Sequence, residues 1–419
     1  MEYRVEDFLS YKLHMIKTNK FKTINVKIVF SKPAKKEEIT IQNFLSDMLT
    51  YSCSKYKTQK EFSIAMQELY AMSVFSSSYR LGKLYNTDIN ATFLNEKYTE
   101  EGMFEKSLEL LREVVFFPNI ESNSFEETSF AVIKKASLNQ IKSVKESLRK
   151  YSLIKMLEVM GKDEEFSYHG YGYIEDLEKI TKESLYEYYL DFIKKSKVDI
   201  YILGDIEFEK TKKIINKLFK FSTLKMPKTD LSITHSKFRK IPKEATEELN
   251  ISQSKLSIGC KIEQMTDYEK NYCLPIYSMI LGGGSSSKLF TNVREKNSLC
   301  YYISASANKL DSILFITSGV AAKSYNKCVK LVKEELKNME KGKFTEEEIE
   351  KAKIQYITLL DELYEDPYQI ISFYYSMEVL NRDDYKKRKE SINSVNFEDI
   401  IQISKKIHLD TIFLLKGND

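Results

Sequence analysis

Residues 177–206 read LEKITKESLYEYYLDFIKKSKVDIYILGDI, and residues 392–419 read INSVNFEDIIQISKKIHLDTIFLLKGND. In both stretches an apolar pair spaced three positions apart precedes a polar helix start. A helix ending in Lys-Lys follows, and then an Asp, a short apolar strand and a Gly. Two copies of one helix–strand pattern, about half a chain apart, predict an internal duplication.

A second pair of stretches supports the duplication at a similar offset. Residues 104–127, FEKSLELLREVVFFPNIESNSFEE, resemble residues 325–348, YNKCVKLVKEELKNMEKGKFTEEE. Each indicates an amphipathic helix, a turn, and then Phe followed by acids that open another helix. Helical periodicity also dominates residues 125–160.

Strand patterns complete each half of the chain. Residues 21–30, FKTINVKIVF, alternate closely enough to predict a half-buried strand, and residues 74–94, VFSSSYRLGKLYNTDINATFL, predict a hairpin. Strand runs followed by helix runs indicate an α+β fold. We therefore expect two homologous domains from an internal duplication, each a mainly antiparallel sheet packed with helices.

Residues 221–248, around the junction of the two halves, are polar and weakly periodic, and they contain Pro227 and Pro242. Such a composition is typical of a linker. The sequence therefore predicts an N-terminal domain over residues 1–222, a linker over 223–240 and a C-terminal domain over 241–419.

Composition excludes several classes of protein. The 419 residues carry 65 Lys+Arg against 61 Asp+Glu, and this net charge of +4 is too small and dispersed to indicate a nucleic-acid partner. Five scattered cysteines without a C-x-x-C pair are typical of reduced thiols. The N-terminus shows no secretory signal pattern, and no apolar run is long enough to span a membrane. We expect a soluble, cytoplasmic protein.

Residues 41–50, IQNFLSDMLT, predict an amphipathic helix whose apolar residues form one stripe. Its other face carries Asn43, Ser46 and Asp47 at the spacing of the inverted zinc motif H-x-x-E-H. Histidine is scarce in the whole chain, and no two histidines lie close enough in sequence to form an i, i+4 zinc pair. An ordinary amphipathic helix explains these ten residues equally well.

The most distinctive stretch is residues 281–303, LGGGSSSKLFTNVREKNSLCYYI. It is not a phosphate-binding loop, because Ser287 replaces the Gly that such a loop has before its Lys. By composition alone it predicts a glycine-capped helix end, a polar loop and a strand. It also resembles the second-domain signature of the pitrilysin/insulinase family of zinc metallopeptidases. In that signature a glycine-rich loop leads to R-E-K, and a Tyr follows the Arg by seven positions; here these are Arg294 and Tyr301.

The resemblance covers nearly the whole chain, including the duplication, and it implies roles for particular residues. Gly282, Gly283 and Gly284 would contact substrate. The H-x-x-E-H positions become Asn43, Ser46 and Asp47, and the third ligand falls near residues 132–141, which offer Asn139 and Gln140 but no acid. Without both His ligands, the metal-binding Glu and the water-activating Glu, we expect no metal in this chain and no peptide hydrolysis by it alone.

The same resemblance implies a partner. In small two-domain members of the family, two chains close into a chamber, and one chain's second domain supplies the Arg and Tyr to the other chain's zinc site. Arg294 and Tyr301 would then act in trans in a heterodimer with a homologous, zinc-containing subunit that has an intact H-x-x-E-H and cleaves peptides.

Inactive members of such bacterial pairs are associated with modification of elongation factor P or with trimming of ribosomally made modified peptides, and the sequence does not choose between these contexts. Three alternatives stay open. The chain could be a structural subunit, as in respiratory complexes, or an autonomous peptide-binding protein. Arg294 could also simply pair with Glu295 or another neighbour on the surface.

Overall fold

A computed structural model describes residues 1–222 and 231–418. The chain divides into two compact units, and neither is a continuous stretch of sequence. The first unit comprises Met1–Lys142, His169–Asp230 and Glu365–Tyr375, and the second comprises Ser143–Tyr168, Leu231–Tyr364 and Ser376–Asp419. Each unit therefore includes a helical segment from the other half of the sequence.

Strands and helices in the N-terminal half follow the order β1 (Glu2–Asp7), β2 (Lys12–Lys17), β3 (Thr23–Pro33), α1 (Lys36–Leu49), α2 (Gln59–Glu68), β4 (Ser73–Leu81), β5 (Leu84–Leu94), α3 (Met103–Phe116), β6 (Ile120–Glu121), β7 (Ser124–Phe125), α4 (Glu127–Ser143), α5 (Leu148–Met160), α6 (Ile174–Lys179), α7 (Lys182–Lys195), β8 (Lys197–Gly204) and α8 (Phe208–Leu218).

The C-terminal half continues with β9 (Lys243–Glu248), β10 (Ser254–Ile262), α9 (Leu274–Gly282), β11 (Cys300–Asn308), β12 (Ile313–Val320), α10 (Tyr325–Glu340), α11 (Glu346–Glu362), α12 (Pro367–Leu380), α13 (Tyr385–Ser394), α14 (Phe397–Lys405) and β13 (Ile407–Lys416). Two π-helical segments, Glu269–Cys273 and Phe290–Glu295, flank α9.

Each unit contains one large, mainly antiparallel sheet. The first sheet has the order β1-β2-β8-β3-β5-β4, in which only β2 and β8 pair in parallel. The second has the order β11-β12-β10-β13-β9, in which only β13 and β9 pair in parallel. The predicted α+β class with two mainly antiparallel halves is confirmed.

The duplicated sequence patterns have the same local structure in both copies. Residues 177–206 contain α7 and β8, and residues 392–419 contain α14 and β13. Thr181 and Asn396 each begin their helix with a reciprocal capping box, in which the side chain accepts a hydrogen bond from the third helical residue. The polar helix start seen in both sequence copies is therefore a pair of equivalent caps.

Buried apolar side chains fill one face of each sheet. In the first unit, Val26, Ile28 and Ile200 belong to a core that includes residues of α1, α3 and α7. In the second, Ile258 and Ile316 belong to a core that includes residues of α9, α10 and α14. Because strand side chains alternate between faces, the intervening residues of the same strands point to the opposite face.

That opposite face is also covered. The prediction that residues 21–30 form a half-buried strand is therefore wrong, because β3 is buried on both faces. In β3, Asn25 and Lys27 are only 1% and 8% exposed. Segment Glu365–Tyr375 provides the cover, since Tyr375 Oη accepts a hydrogen bond from Asn86 Nδ2 at 2.8 Å. The alternation of apolar and polar residues in the sequence predicted which face of β3 is apolar. It could not predict that a helix distant in sequence buries the polar face.

In the second unit, α5 covers the corresponding face with apolar side chains. Met156 and Met160 are buried there with Phe413 and Leu415. A Cβ on Gly259 would come within 2.4 Å of Met156 Sδ, so the absence of a side chain at this position lets the helix approach the sheet. The helical pattern of residues 125–160 is interrupted just before α5, by a 3₁₀ turn.

The compact units do not follow the predicted domain ranges along the whole chain. The compact units cross the ranges 1–222 and 241–419 at 143–168 and 365–375. Of the predicted linker, residues 223–230 lie outside the described residues, and residues 231–240 contain no helix or strand. The ranges of the duplicated domains stay a prediction. Among the described residues, no helix is long and apolar enough to cross a membrane.

Truncating Met156 tests the contribution of α5 to the second unit. Met156 is 0% exposed, so Met156→Ala leaves a cavity, and we expect the free energy of unfolding to fall by about 2–5 kcal/mol. Ile354→Ala, at a 65% exposed position of α11, should change it by less than about 0.5 kcal/mol. Urea denaturation monitored by circular dichroism measures both. Equal effects of the two changes would contradict the packing described for α5.

Candidate functional site

Helix α1 carries the three residues at the H-x-x-E-H spacing. Both the oxygen and the nitrogen of the first side chain, Asn43, form hydrogen bonds within the chain. Asn43 Nδ2 donates to the carbonyl oxygen of Gly170 at 2.8 Å, and Asn43 Oδ1 accepts from Tyr85 Oη at 2.7 Å. Tyr85 Oη also lies 3.0 Å from the Gly170 carbonyl oxygen. Asn43 therefore ties α1 to strand β5 and to the loop at Gly170.

Ser46, the residue predicted to replace the water-activating Glu, is 3% exposed and belongs to a hydroxyl network. Its Oγ donates to the carbonyl oxygen of Asn43 at 2.8 Å and accepts from Ser78 Oγ at 3.3 Å. Ser78 Oγ lies 3.0 Å from Thr87 Oγ1. This side chain is directed into the contact between α1 and the hairpin β4–β5.

Asp47, the residue predicted to replace the second His, is partly buried, and no hydrogen bond or ion pair of its carboxylate occurs among the described residues. Burial raises the pKa of Asp47 to about 6, because removal of water disfavours the charged form. A carboxyl with this pKa is largely ionised at neutral pH. Asp47 is the one acidic residue among the three positions.

These residues do not fit a zinc ion. Zinc sites in proteins use imidazole, thiolate and carboxylate ligands in a tetrahedral set. Here the side-chain amide of Asn43 forms hydrogen bonds within the chain, and the buried hydroxyl of Ser46 is hydrogen-bonded to a carbonyl oxygen and to another hydroxyl. The predicted third-ligand positions, Asn139 and Gln140, are exposed amides on α4. In residues 1–222 and 231–418, no group of three or more His, Cys, Asp or Glu side chains could hold a metal ion.

The glycine-rich loop follows α9, and two of its three glycines are required by packing. A Cβ on Gly282 would come within 2.4 Å of the backbone nitrogen of Ala305 in β11. A Cβ on Gly283 would come within 2.6 Å of the Cα of Met279. Gly284 is exposed. The absence of side chains at the first two positions is thus explained within the chain, and the substrate contact stays a prediction for all three.

Arg294 lies in the π-helical segment Phe290–Glu295, where composition had predicted only a polar loop. Its side chain is exposed, and its guanidinium lies 4.6 Å from the centre of the Phe290 ring. Within the described residues Arg294 makes no ion pair with Glu295, and its contact is with the ring of its neighbour Phe290. π-Helical turns are rare and occur frequently at functional sites.

Tyr301 is placed by an irregularity at the start of β11. The pairing of β11 with β12 shifts register between Cys300 and Tyr302, so Tyr301 lies at the extra position of a bulge on an edge strand. Its side chain is 72% exposed. The next residue, Tyr302, is turned the other way, and the Arg149 guanidinium lies 4.9 Å from the centre of its ring.

Arg294 acts at the same end of β11. Burial raises the pKa of the neighbouring Cys300 thiol, while Ser318 and the positive charge of Arg294 act in the opposite direction. An exposed guanidinium and an exposed phenol can each donate hydrogen bonds to carbonyl oxygens of an extended peptide.

Two residues that hold the degenerate helix in place were missed by sequence reasoning. Tyr85 and Gly170 both bond to Asn43, although they are distant from it in sequence. The aromatic, glycine-rich run YHGYGY at residues 168–173 is the one sequence signal that could have drawn attention to the loop.

Comparisons with known proteins agree with this picture. A model of the peptidase M16 inactive domain matches residues 179–356. The chain is 30% identical over 412 residues to "Probable inactive metalloprotease YmfF" of Bacillus subtilis (strain 168), covering 97% of this chain and 96% of that protein.

Two solved structures are similar over nearly their full length. A conserved protein from Enterococcus faecalis V583 has a TM-score of 0.92 at 25% identity, covering 99% of both chains. A peptidase M16 inactive domain from Pseudomonas fluorescens has a TM-score of 0.80 at 16% identity, covering 100% of this chain and 99% of that one, and this likeness shows the fold alone.

The pKa of Asp47 predicts a pH-dependent effect of Asp47→Asn. In the unfolded chain this carboxyl has its ordinary pKa of 3.8, so the folded chain holds the proton more tightly, and ionisation destabilises it as pH rises from about 4 to 6. We expect Asp47→Asn to raise the free energy of unfolding by about 2 kcal/mol at pH 7, with little effect below about pH 4. Urea denaturation across this pH range measures the difference. A constant difference at all pH values would contradict the assignment.

Proposed function

This chain belongs to the peptidase M16 family as an inactive metallopeptidase homologue, and from this we propose that it is the non-catalytic subunit of a heterodimeric zinc metallopeptidase. In this proposal a homologous partner with an intact H-x-x-E-H motif binds zinc and cleaves the peptide. This chain supplies one side of the chamber and contributes Arg294 and Tyr301 to the partner's active site.

The observation that carries the proposal is a contrast between two sets of family positions. Asn43 and Ser46 are bound internally, which leaves the zinc positions without free ligands. Arg294 and Tyr301 instead point to solvent, and neither side chain has a hydrogen bond or ion pair within the described residues. A chain whose metal positions are closed and whose substrate-contacting positions stay open is suited to assist catalysis elsewhere.

Chemistry assigns a role to each group. The guanidinium of Arg294 is planar, stays charged and presents several donors, so it would hold the substrate backbone in register. The phenol of Tyr301 would donate to the oxygen that becomes negatively charged as the scissile carbonyl is attacked. The glycine loop, with Gly284 exposed, would lie along the peptide.

The biological context is part of the proposal. Peptide processing in the cytoplasm agrees with five cysteines that are all free thiols. Maturation of modified peptides and modification of elongation factor P are both compatible with a chamber that admits an unstructured peptide.

We expect zinc in the partner and not in this chain. Amide, hydroxyl and a single carboxylate make a poor tetrahedral ligand set, and two of the three groups are already bonded internally. Metal analysis of the purified chain, after dialysis against zinc-containing and then zinc-free buffer, should find substoichiometric zinc. A stoichiometric zinc that is lost on Asp47→Ala would contradict this.

Substitution of Arg294 and Tyr301 tests the role in trans. In the reconstituted pair, Arg294→Ala or Tyr301→Phe in this chain should lower cleavage by the partner on the order of 10²-fold, mainly in kcat, because the contacts tighten most in the transition state. Arg294→Lys should restore only part of the rate, since an ammonium lacks the two-pronged planar donor. Turnover of an unstructured peptide measures the effect.

Neighbouring residues provide matched controls. Lys296→Ala removes an exposed cation two positions from Arg294, and Tyr302→Phe removes the hydroxyl adjacent in sequence to Tyr301 but turned inward. Both controls should leave turnover unchanged, and all variants should elute with the partner as a one-to-one complex. Wild-type turnover from a complex carrying Arg294→Ala with Tyr301→Phe would reject the role in trans and favour a structural subunit.

A further inference from the structure

A cavity with a volume of 430 Å³ lies between strand β9 and helix α10 of the second unit, and it is open to solvent. Pockets that bind ligands in proteins have volumes of roughly 300–1,000 Å³. Glu244 of β9 lines one side of the cavity, and side chains of α10 between Tyr325 and Lys337 line the other. We call this cavity the α10 groove.

Three lysines line the groove from one face of the helix. Lys330, Lys333 and Lys337 follow one another at spacings of three and four positions. Residues at these spacings are neighbours on a helix, with Cβ atoms about 5–6 Å apart. Like charges at such spacings destabilise a helix, so a negatively charged ligand in the groove would relieve a repulsion that the chain alone maintains.

Two carboxylates line the same groove, but their contacts with the lysines are long. Lys333 Nζ lies 3.9 Å from Glu244 Oε1, and Lys330 Nζ lies 3.9 Å from Glu334 Oε1. Both distances exceed the roughly 2.7–3.2 Å of a hydrogen bond from an N–H donor. Lys337 makes no side-chain hydrogen bond or ion pair within the described residues. Three ammonium groups against two carboxylates leave one positive charge in excess, and all three lysines have donors to offer.

Neutral groups complete the lining. Val329 is 7% exposed and belongs to the core of the second unit, so it gives the groove an apolar part. Burial and the nearby carboxylate of Glu244 raise the pKa of Tyr325, so its phenol stays a hydrogen-bond donor. The side chain of Asn326 is exposed. Within residues 1–222 and 231–418, neither the Tyr325 hydroxyl nor the Asn326 amide has a hydrogen-bond partner.

The length of this lined face favours an extended peptide over a small anion. Asn326 and Lys337 are eleven positions apart, which corresponds to about 16 Å along the helix axis. One carboxylate or phosphate cannot reach that far, whereas about five residues of extended chain can. Every second side chain of an extended chain lies on the same side, about 7 Å from the next. That spacing is close to the axial separation of Lys333 and Lys337, which is about 6 Å.

We propose that the α10 groove binds an extended peptide segment that carries Asp or Glu at alternate positions. The peptide carboxylates pair with the three lysines, and the backbone carbonyl oxygens accept hydrogen bonds from Tyr325 and Asn326. The groove includes neither Arg294 nor Tyr301, so this site can be tested independently of the proposed role in trans.

Fluorescence anisotropy with the purified chain measures binding of a labelled decapeptide in which Glu and Ser alternate. We expect one peptide per chain and weaker binding as sodium chloride is added, because salt screens exposed charges. The same peptide with Gln in place of Glu should not bind. Sodium glutarate, at equal carboxylate concentration and matched ionic strength, should not displace the Glu peptide. Equal binding of the Gln peptide, or displacement by glutarate, would overturn the proposal.

Substitutions of single lysines locate the peptide on the groove. Lys333→Gln and Lys337→Gln should each weaken binding of the Glu peptide roughly two- to fivefold, as expected for loss of one exposed ion pair. Lys327→Gln removes an exposed lysine of the same helix that does not line the groove, and it should leave the affinity unchanged. Equal losses in all three variants would indicate general attraction to a basic surface and would overturn the proposal.

Glu244→Gln should have the opposite effect. It removes the carboxylate that lies 3.9 Å from Lys333, so binding of the Glu peptide should tighten roughly two- to fivefold. None of the four substituted side chains belongs to the core, so the Tm of each variant should equal that of the unchanged protein. Unchanged or weaker binding by the Glu244→Gln variant would place the peptide elsewhere and would overturn the proposal.

Discussion

Coverage of both faces of each sheet is the constraint on which the rest of the structure depends. Because strand side chains alternate, the sequence neighbours of a residue buried on one face of a sheet point to the other face. The polar groups on that face must be hydrogen-bonded to protein or to water. In the first unit the second face is polar, and segment Glu365–Tyr375 supplies hydroxyl partners such as Tyr375. In the second unit it is apolar, and α5 lies close to the sheet because Gly259 has no side chain. Each unit is completed by chain from the opposite half of the sequence.

The same requirement explains the contacts made by the polar face of α1. Once imidazole and carboxylate ligands are absent, the polar face of α1 still has to be satisfied where it is buried. Asn43 meets a carbonyl oxygen and a phenol, and Ser46 joins the hydroxyls of the β4–β5 hairpin. Asp47 keeps an ionisable group without a described partner, and its raised pKa reflects that. The result is a helix whose polar face contributes to packing within the first unit.

Buried charge is treated in two different ways in this molecule. In the first unit, Lys27 lies 3.0 Å from Asp88, so a buried cation meets a buried anion on the adjacent strand. In the second unit, the Lys309 ammonium donates to Asn271 Oδ1 at 3.2 Å, and burial lowers the pKa of Lys309 to about 6. A pair of opposite charges offsets much of its own desolvation, whereas a buried lysine with a neutral partner loses its proton more readily.

The sequence by itself determined the local and repeated features. Alternation in residues 21–30 and 74–94 predicted β3 and the hairpin, and the repeated helix–strand pattern predicted the duplication and the α+β class. Residue identity at 43, 46 and 47 was sufficient to predict an inactive homologue. These features depend on side-chain type and on neighbours within a few positions, which a sequence records directly.

Tertiary structure alone decided the rest, because it depends on contacts between residues far apart in the chain. No local pattern could show that Lys27 would be buried, that Asn43 would bond to Gly170, or that Lys309 would donate to Asn271. The bulge at Tyr301 and the π-helix at Arg294 likewise arise from strand register and packing, which fix where these exposed side chains point. Burial and charge balance depend on which residues surround a side chain in the folded protein, and those residues are far from it in the sequence.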